Sequence, residues 1–522
     1  MHRPTPFALA ALALILALAL VPAQALAQEA PGAPTTAEEV NESQARSITL
    51  ETLLDVAVRG NPTLARSNID ISLAGADILA SLGVDDWTLT AGAGASISRF
   101  EPIDGPFTQQ TEADSVNLSA GLAKQFDFGG TFTVNWSGSA DKRVLLFSPG
   151  EGVDPFSNNV ISYNSALLAT LTQPILQGFG KDIARVEQRR AENRRSVAQI
   201  QARINGLQVV QDLTTAYWEL AYAQQERAIR QSSVELAKEQ LRLTRAAIRG
   251  GTVAPTESLA LEQAIASREE QVLLAEVNTS RRSLELRRLA GMEVGPGEIN
   301  LSVGERLNAP DRPLDLDQQL QLADSQNPTV AILKAQGDGA KIDVEFASDG
   351  IRPRLDATAT FGPQGSANTA SDTVDQLVTL EAWQATARLD YTQVLGNRGA
   401  EGNRDRAREN VRRLRVDLEE ARRQVAVSVV DAVNSVRTAR KRIEVSETSI
   451  RLAEQNIEVE QARFQAGRAT NFDVLQRQNE LEQSRLSYAR AVVDYLQALT
   501  LLDSLTGDLL KRRGVEVLDS VE

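Results

Sequence analysis

From Trp87 to Ile97 every odd position is apolar (Trp87, Leu89, Ala91, Ala93, Ala95, Ile97), and the even positions are Thr, Gly or Ser. A period of two sends alternate side chains to opposite faces, so this stretch predicts a β-strand with one greasy face and one small, polar face. The same period recurs in Val116, Leu118, Ala120 and Leu122, then in Phe132, Val134 and Trp136, and more loosely in Ile161, Tyr163, Leu167 and Leu171. Phe128-Gly129-Gly130 is placed to turn a hairpin between the second and third of these runs. Further along, Leu355, Ala357, Ala359 and Phe361, then Trp383, Ala385, Ala387, Leu389 and Tyr391, alternate likewise. Six strands follow, four and then two, each of about ten residues, the length that crosses a bilayer in a tilted barrel.

Ahead of each strand group the period changes. A short helix is ended by Asn-Pro, because a residue before proline is biased out of the α region, and a second helix of roughly 25 residues follows. After the first strand group, Lys181 to Ile248 contains no proline and a single glycine; a helix of that span reaches about 100 Å. Val197, Ile200, Ile204 and Leu207, then Val210, Leu213, Tyr217 and Leu220, keep the 3-4 spacing of a coiled-coil seam. Leu414, Leu418, Ala421 and Val425, then Ile450, Ala453, Ile457, Glu460 and Phe464, nearly repeat it. Arg194-Arg195 and Arg422-Arg423 read as solvated faces. Each long helix ends at a glycine turn, Gly250-Gly251 or Gly467, after which a helix of roughly 35 residues returns for about 50 Å. The helix opening the other copy, Pro62 to Asp86 or Pro328 to Asp349, has the length to stack above it and complete the column.

The two series are copies of one unit. Asn61-Pro62-Thr63 recurs as Asn327-Pro328-Thr329, 266 residues on, and that offset also brings Leu50 onto Leu316, Ala74 onto Ala340 and Leu89 onto Leu355. Towards the ends the offset is 216, pairing Gly251 with Gly467, Leu259 with Leu475 and Leu289-Ala290-Gly291 with Leu505-Thr506-Gly507. The first copy therefore holds 50 extra residues, between Phe100 and Leu171. The organisation expected is a first repeat 47–291 (strands 87–171, helix hairpin 181–291), a linker 292–313, a second repeat 314–510 (strands 355–391, helix hairpin 400–507) and a tail 511–522.

Composition sets the compartment and closes off chemistry. His2 and Arg3 precede an apolar run from Phe7 to Val21, and Ala25-Leu26-Ala27 is a small-x-small site; residues 1–27 read as a secretory signal peptide cleaved after Ala27, with 28–46 a flexible polar segment. His2 is the single histidine and there is no cysteine. A mature chain without either has no imidazole base, thiolate nucleophile, disulfide or lipobox, and no His or Cys metal site. No stretch past Ala27 approaches 18 apolar residues, so the chain is soluble or crosses as a barrel. The net charge of -14 argues against nucleic acid as a partner. No cofactor is expected. A carboxylate-only hydrolase stays open chemically, but no acidic pair sits in a recognisable constellation, and the chain is not expected to be an enzyme.

Two readings of the strands compete: a sandwich with one buried face, and a membrane barrel whose greasy face meets lipid. Trp87, Trp136, Trp383 and Tyr391 fall near strand ends, where an aromatic girdle sits. Six strands cannot close a membrane barrel and a narrow seam on a 100 Å helix cannot form a single-chain core. Both point to several copies completing one structure. The alternative function is a non-conducting periplasmic or surface coiled-coil scaffold.

The duplicated order of helices, strands, long helix, glycine tip and return helix, with the Asn-Pro break and the phrases Arg463-Phe464-Gln465-Ala466-Gly467 and Asp473-Val474-Leu475, resembles the TolC family of outer-membrane efflux proteins over about residues 47 to 510. The resemblance implies a mixed α and β membrane protein: a homotrimer sharing an outer-membrane β-barrel, with a long periplasmic α-helical coiled-coil tunnel. It implies a passive, gated channel of a tripartite efflux or type I secretion system in the outer membrane of a Gram-negative-type bacterium. Its partners would be a periplasmic membrane-fusion adaptor, an inner-membrane efflux pump or ABC transporter, and outer-membrane lipid. By the family's pattern Asp473 lines the closed aperture, and a second family Asp is here Gln476. Glu257 matches the acidic half of an interhelix latch whose Arg falls at Arg468, beside Ala469. The tips Gly251-Thr252-Val253 and Gly467-Arg468-Ala469 would contact the adaptor. The family's barrel takes four strands per subunit, so the extra hairpin, about Val116 to Ala140, leaves 12 or 18 strands in a trimer.

Overall fold

The computed structural model describes residues 47–102, 108–147, 154, 156–251, 253–294 and 301–515. The expected signal peptide, the 28–46 segment, Thr252, part of the linker and most of the tail lie outside the described residues. In chain order the elements are β1 (Ser47–Ile48), α1 (Leu50–Gly60), α2 (Pro62–Leu82), β2 (Thr88–Arg99), β3 (Thr108–Gln125), β4 (Thr131–Phe147) and β5 (Phe156–Pro174). Next come α3 (Val186–Arg249), α4 (Glu257–Leu289), β6 (Ser302–Val303), α5 (Leu316–Gln326), α6 (Pro328–Asp349), β7 (Arg354–Ala367) and α7 (Ala370–Thr379). Then come β8 (Trp383–Thr392), α8 (Arg398–Gln465) and α9 (Asn471–Leu505), followed by a one-turn helix at Leu509–Arg512.

Two compact units result, and they do not follow the two copies: of the described residues, those within 77–191 and 340–410 make one, those within 47–76, 192–339 and 411–515 the other. Each unit draws on both halves of the duplication. The cause is the order of elements within a copy, since like elements of the two copies pack together.

The first unit holds one six-stranded sheet in the order β2-β3-β4-β5-β7-β8, with every neighbouring pair antiparallel. The β3–β4 turn at Phe126–Gly130 is closed by the Phe126 N–H donating to the Gly130 carbonyl at 2.7 Å. The strands are longer than their alternating stretches: β3, β4 and β5 have 18, 17 and 19 residues. Backbone pairing continues past the greasy segment through residues polar on both sides, such as Asp114 and Asp141, because the ladder needs N–H and C=O groups and no particular side chain. Helix α7, between β7 and β8, has no counterpart among the predicted elements. Thr369 caps it, accepting from the Asp372 N–H, and its Thr373 hydroxyl donates to the Tyr163 carbonyl at 3.2 Å. Ten residues between two strands show too few turns for a helical period to register.

The second unit is helical. In α3 the seam residues Leu207, Val210, Leu213, Tyr217 and Leu220 are buried; they meet Leu53 and Ala57 of α1, Val436 and Ile443 of α8, and Val492 and Tyr495 of α9. Smaller clusters continue the packing, Ala237 and Leu241 with Leu261 and Ile265 in one, Ala453 and Ile457 with Leu481 in another. The helix expected from Lys181 is broken at Arg185, leaving a short turn at Lys181–Ala184 before the 64 residues of α3. Arg422, read as solvated, reaches Asp324 at 3.2 Å. A two-residue parallel pairing, Ser47–Ile48 with Ser302–Val303, fastens the start of the first copy to the linker.

The Asn-Pro breaks are built twice in the same way. Asn61 Oδ1 accepts from the Thr63 and Leu64 N–H groups at 2.8 and 3.3 Å, and its Nδ2 donates to the Leu289 carbonyl at 2.7 Å. Asn327 does the same with Thr329, Val330 and the Leu505 carbonyl, at 2.9, 3.3 and 2.8 Å. One side chain caps the helix that follows and ties it to the end of a return helix. Glycine is required beside the first joint: Gly291 has φ 70°, and a Cβ there would lie 2.1 Å from the Gly60 carbonyl oxygen.

Candidate functional site

The sheet sorts most of its residues by face, with a register shift between Gln110 and Glu112 and exceptions such as Lys124 beside Phe132 on the apolar face and Leu168 beside Asn135 on the polar one. Following partners from Thr88 leads to Ala123, Thr133, Thr170, Thr360 and Thr386. The rung through Gly94 joins Asn117, Ser139, Asn164 and Ser366. These side chains share one face and bond along it: Asn164 Nδ2 donates to Ser139 and Asp141, and the Ser366 hydroxyl donates to Asn164 Oδ1 at 2.8 Å. The opposite face carries Leu89, Leu122, Phe132, Leu171, Ala359 and Ala387.

Neither face is covered by an apolar core. Among the described residues, none of the buried hydrophobic clusters draws on the six strands. Leu89 is 72 % exposed, Trp383 59 % and Tyr391 59 %. A sandwich needs its greasy face buried against a second layer, so the sandwich reading is excluded for the described residues. A sheet that presents a continuous apolar surface outward and a polar one inward is arranged for lipid on one side and water on the other.

Of the expected aromatic girdle, Trp87 precedes β2 with the Lys124 ammonium 5.4 Å from its ring centre, Tyr391 is near the end of β8, and Trp383 opens β8 with Phe361 beside it at 6.2 Å. Trp136 instead sits within β4, five residues past Thr131, where its indole N–H donates to the Ser165 hydroxyl at 3.0 Å. Its position near a strand end was inferred from a strand read too short.

The helix tips are in the second unit. The second ends in a Schellman turn, with the Gly467 N–H on the Phe464 carbonyl at 2.9 Å and the Arg468 N–H on the Arg463 carbonyl at 2.8 Å. Gly467 has φ 69°, the left-handed region a side chain would disfavour. Thr470 then caps α9 in a reciprocal box: its hydroxyl accepts from the Asp473 N–H, while Asp473 Oδ2 accepts from the Thr470 N–H at 2.9 Å and hydroxyl at 2.8 Å. These bonds, the backbone N–H first, hold the Asp473 carboxyl below the ordinary carboxylate range. The first tip has no such box, since Thr256 makes no side-chain cap to α4.

Glu257 and Arg468 are not brought together. Glu257 Oε2 accepts from Asn471 Nδ2 at 3.1 Å, and Arg468 is exposed, its side chain in no ion pair among the described residues. Asn471, 2 % exposed, is the hub the sequence reading missed: its Oδ1 also accepts from Gln240 Nε2 at 2.9 Å and from the Thr244 hydroxyl at 2.8 Å. One asparagine thus joins α3, α4 and α9. Gln476 is exposed and reaches Glu480 at 3.4 Å; Val253 and Ala469 are half-buried, and Gly251 is exposed.

Farther from the tip a second polar layer joins the same three helices. Arg268, 6 % exposed, donates to the Ser233 carbonyl at 2.9 Å, to Gln478 Oε1 at 3.0 Å and to Asn479 Oδ1 at 2.8 Å. Burial pulls its guanidinium pKa down, opposed by the Glu482 carboxylate. Glu482 accepts from the Ser233 hydroxyl at 2.6 Å and pairs with Arg230 at 3.5 Å, beside a cavity of about 350 Å³. Buried polar side chains at seam positions signal such a layer, but which helix supplies each partner is invisible in sequence.

Residues 319–508 match the outer membrane efflux protein family. The full chain matches solved outer-membrane proteins along almost its whole length. The chain has a TolC-family fold. The Campylobacter jejuni CmeC outer membrane channel is similar with a TM-score of 0.63 at 15 % identity, covering 92 % of this chain and 94 % of its own. The outer membrane protein VceC of Vibrio cholerae gives 0.62 at 15 % identity over 88 % and 96 %, and the open state of the Neisseria gonorrhoeae MtrE outer membrane channel 0.61 at 15 % over 89 % and 90 %. No curated protein sequence matches. Within this TolC-family fold lie both the six-stranded sheet and the paired helix hairpins.

Proposed function

We propose that the chain is one subunit of an outer-membrane exit duct, a homotrimer that conducts passively and is gated at its helix tips. The observation that carries this is the sheet: six strands whose apolar face has no protein cover, whose other face is mostly small and polar, and whose two outer strands have, among the described residues, no partner on their outer edges. Unpaired strand edges are not tolerated in hydrocarbon, so further copies must complete a closed barrel. A non-conducting scaffold would expose the same greasy face to water at a large free-energy cost.

The chain carries the organisation of two tandem copies, 47–291 and 314–510. Trp87, Trp383 and Tyr391 serve as interface anchors, with Trp136 deeper in the wall. The tips Gly251-Thr252-Val253 and Gly467-Arg468-Ala469 dock a periplasmic membrane-fusion adaptor, itself coupled to an inner-membrane pump or ABC transporter that supplies the energy. Asp473, Gln476, Glu257 and Arg468 form the gate region, with Glu257 held through Asn471 and Arg468 free to meet a partner. No step of the transport uses catalysis or a cofactor.

Two measurements test this reading. Purified protein in a planar bilayer should give ionic conductance that rises when Asn471 is replaced by Ala. Protein in membranes should resist high salt and be extracted by detergent alone. Extraction by salt, or no conductance from wild type and N471A together, would sink the proposal.

A further inference from the structure

Resting on the duct reading, the geometry points to a seam between β2 of one copy and β8 of the next, closing a wall of 18 strands in which the β3–β4 hairpin is an integral part. The hairpin is not an appendage. β3 pairs with β2 along all twelve residues of β2, and β4 pairs with β5 over seventeen consecutive positions, so the hairpin lies in the sheet between the first and fourth strands. Among the described residues of this sheet, only β2 and β8 keep an open edge, and nearly all of their residues are exposed.

Neither edge carries the usual protection. Soluble proteins blunt an open strand with lysine, proline or a bulge, yet β2 from Thr88 to Ser98 has no charge and no proline, and its centre, Ala91-Gly92-Ala93-Gly94-Ala95, admits a neighbour closely. The only charges on β8, Arg388 and Asp390, pair with each other at 2.8 Å on the polar face. The occupant that fits is a second copy of this chain. β2 and β8 are of similar length, 12 and 10 residues, run antiparallel when placed side by side, and carry their apolar positions on the same face.

Register follows from the stagger. The rung that starts at Thr88, the first residue of β2, arrives at Thr386, six residues short of the end of β8 at Thr392. Carrying that climb into the next copy sets Thr386 against Gly94 and Thr88 against Thr392, so the strand ends finish flush. Parity is kept: Ala93 meets Ala387 and Ile97 meets Trp383 on the lipid face, while Gly92 leaves room for Arg388 on the lumen face. A climb of six residues per six strands, at about 3.3 Å per residue and about 4.8 Å per strand, is a tilt of roughly 35°, within the range of outer-membrane barrels. At that tilt 18 strands span about 34 Å between backbones, against about 22 Å for 12.

The cysteine-free chain permits a direct test. In outer membranes, the double variant A93C with A387C should give an oxidant-dependent ladder of dimer and trimer on denaturing gels, whereas A93C alone and A387C alone give no β2–β8 ladder. Electron cryo-microscopy of the detergent-extracted wild type should show a ring of about 34 Å. Absence of the ladder in protein that is detergent-extracted and trimeric by mass would overturn the seam while leaving the duct reading intact. A ladder from A95C with A387C in its place would overturn the flush register. Cross-linking of A93C to S165C within one chain, or a ring of about 22 Å, would place the hairpin outside the wall and refute the 18-strand count. Release of the protein by salt would refute the duct reading itself.

Discussion

At Asn61 and Asn327 a single amide fills two roles, accepting from the first turn of the next helix and donating to the end of a return helix. Replacing either by Ala removes a cap and a tie, so a loss of about 1–2 kcal/mol is expected in denaturant or thermal unfolding of the detergent-solubilised protein. Replacement by Asp keeps the cap and loses the donor, and should cost less than Ala. Asp473 adds a pH dependence. Its folded pKa is lowered, mainly by the Thr470 N–H, so the stabilisation of α9 is complete above the unfolded carboxylate pKa and fades as pH falls through the lowered one. Amide exchange at Thr470 should therefore be slower in wild type than in D473N at neutral pH, with the difference closing on acidification. A difference that persisted at low pH would exclude the carboxylate as its source.

Between elements, the faces of the sheet offer a paired test. Ala93 and Gly94 are neighbours in β2 pointing to opposite sides. A93R puts a charge on the lipid face, at a cost of about 2–4 kcal/mol near the bilayer midplane, and should abolish detergent-resistant assembly in membranes. S119R, across the rung from Gly92 on the polar face, should assemble normally and shift reversal potentials toward anions. In the helical unit, R268M strips donors from the Ser233 carbonyl, Gln478 and Asn479. Buried acceptors left unpaired cost about 2–3 kcal/mol, which thermal unfolding would register, and R268K should recover part of it. Conductance provides a second readout, because the layer joins α3 and α4 to α9.

For the whole molecule, sequence carried the fold further than it carried the gate. Alternation located all six strands, and the duplication located the helix hairpins, because both repeat a short rule many times. Isolated features escaped: α7 is too short to show its period, the Ser47–Ile48 pairing involves two residues, and the break at Arg185 has no proline or glycine to announce it. Glu257, Asp473 and Arg468 follow from the family's pattern at the tips, yet Glu257 is joined to Asn471 and Asp473 to its own helix start. Asn471 carries no motif.

Period, turn residues and the repeated Asn-Pro phrase are local, and each follows from the steric and solvation preferences of residues a few positions apart. The sequence by itself therefore determined the strands, their two faces and the long seams. Which residues meet across helices 200 positions apart was decided only by tertiary packing, as were the strand order and its stagger. A buried polar group is satisfied by whatever donor the backbone happens to bring within 3 Å, and sequence spacing does not encode that distance.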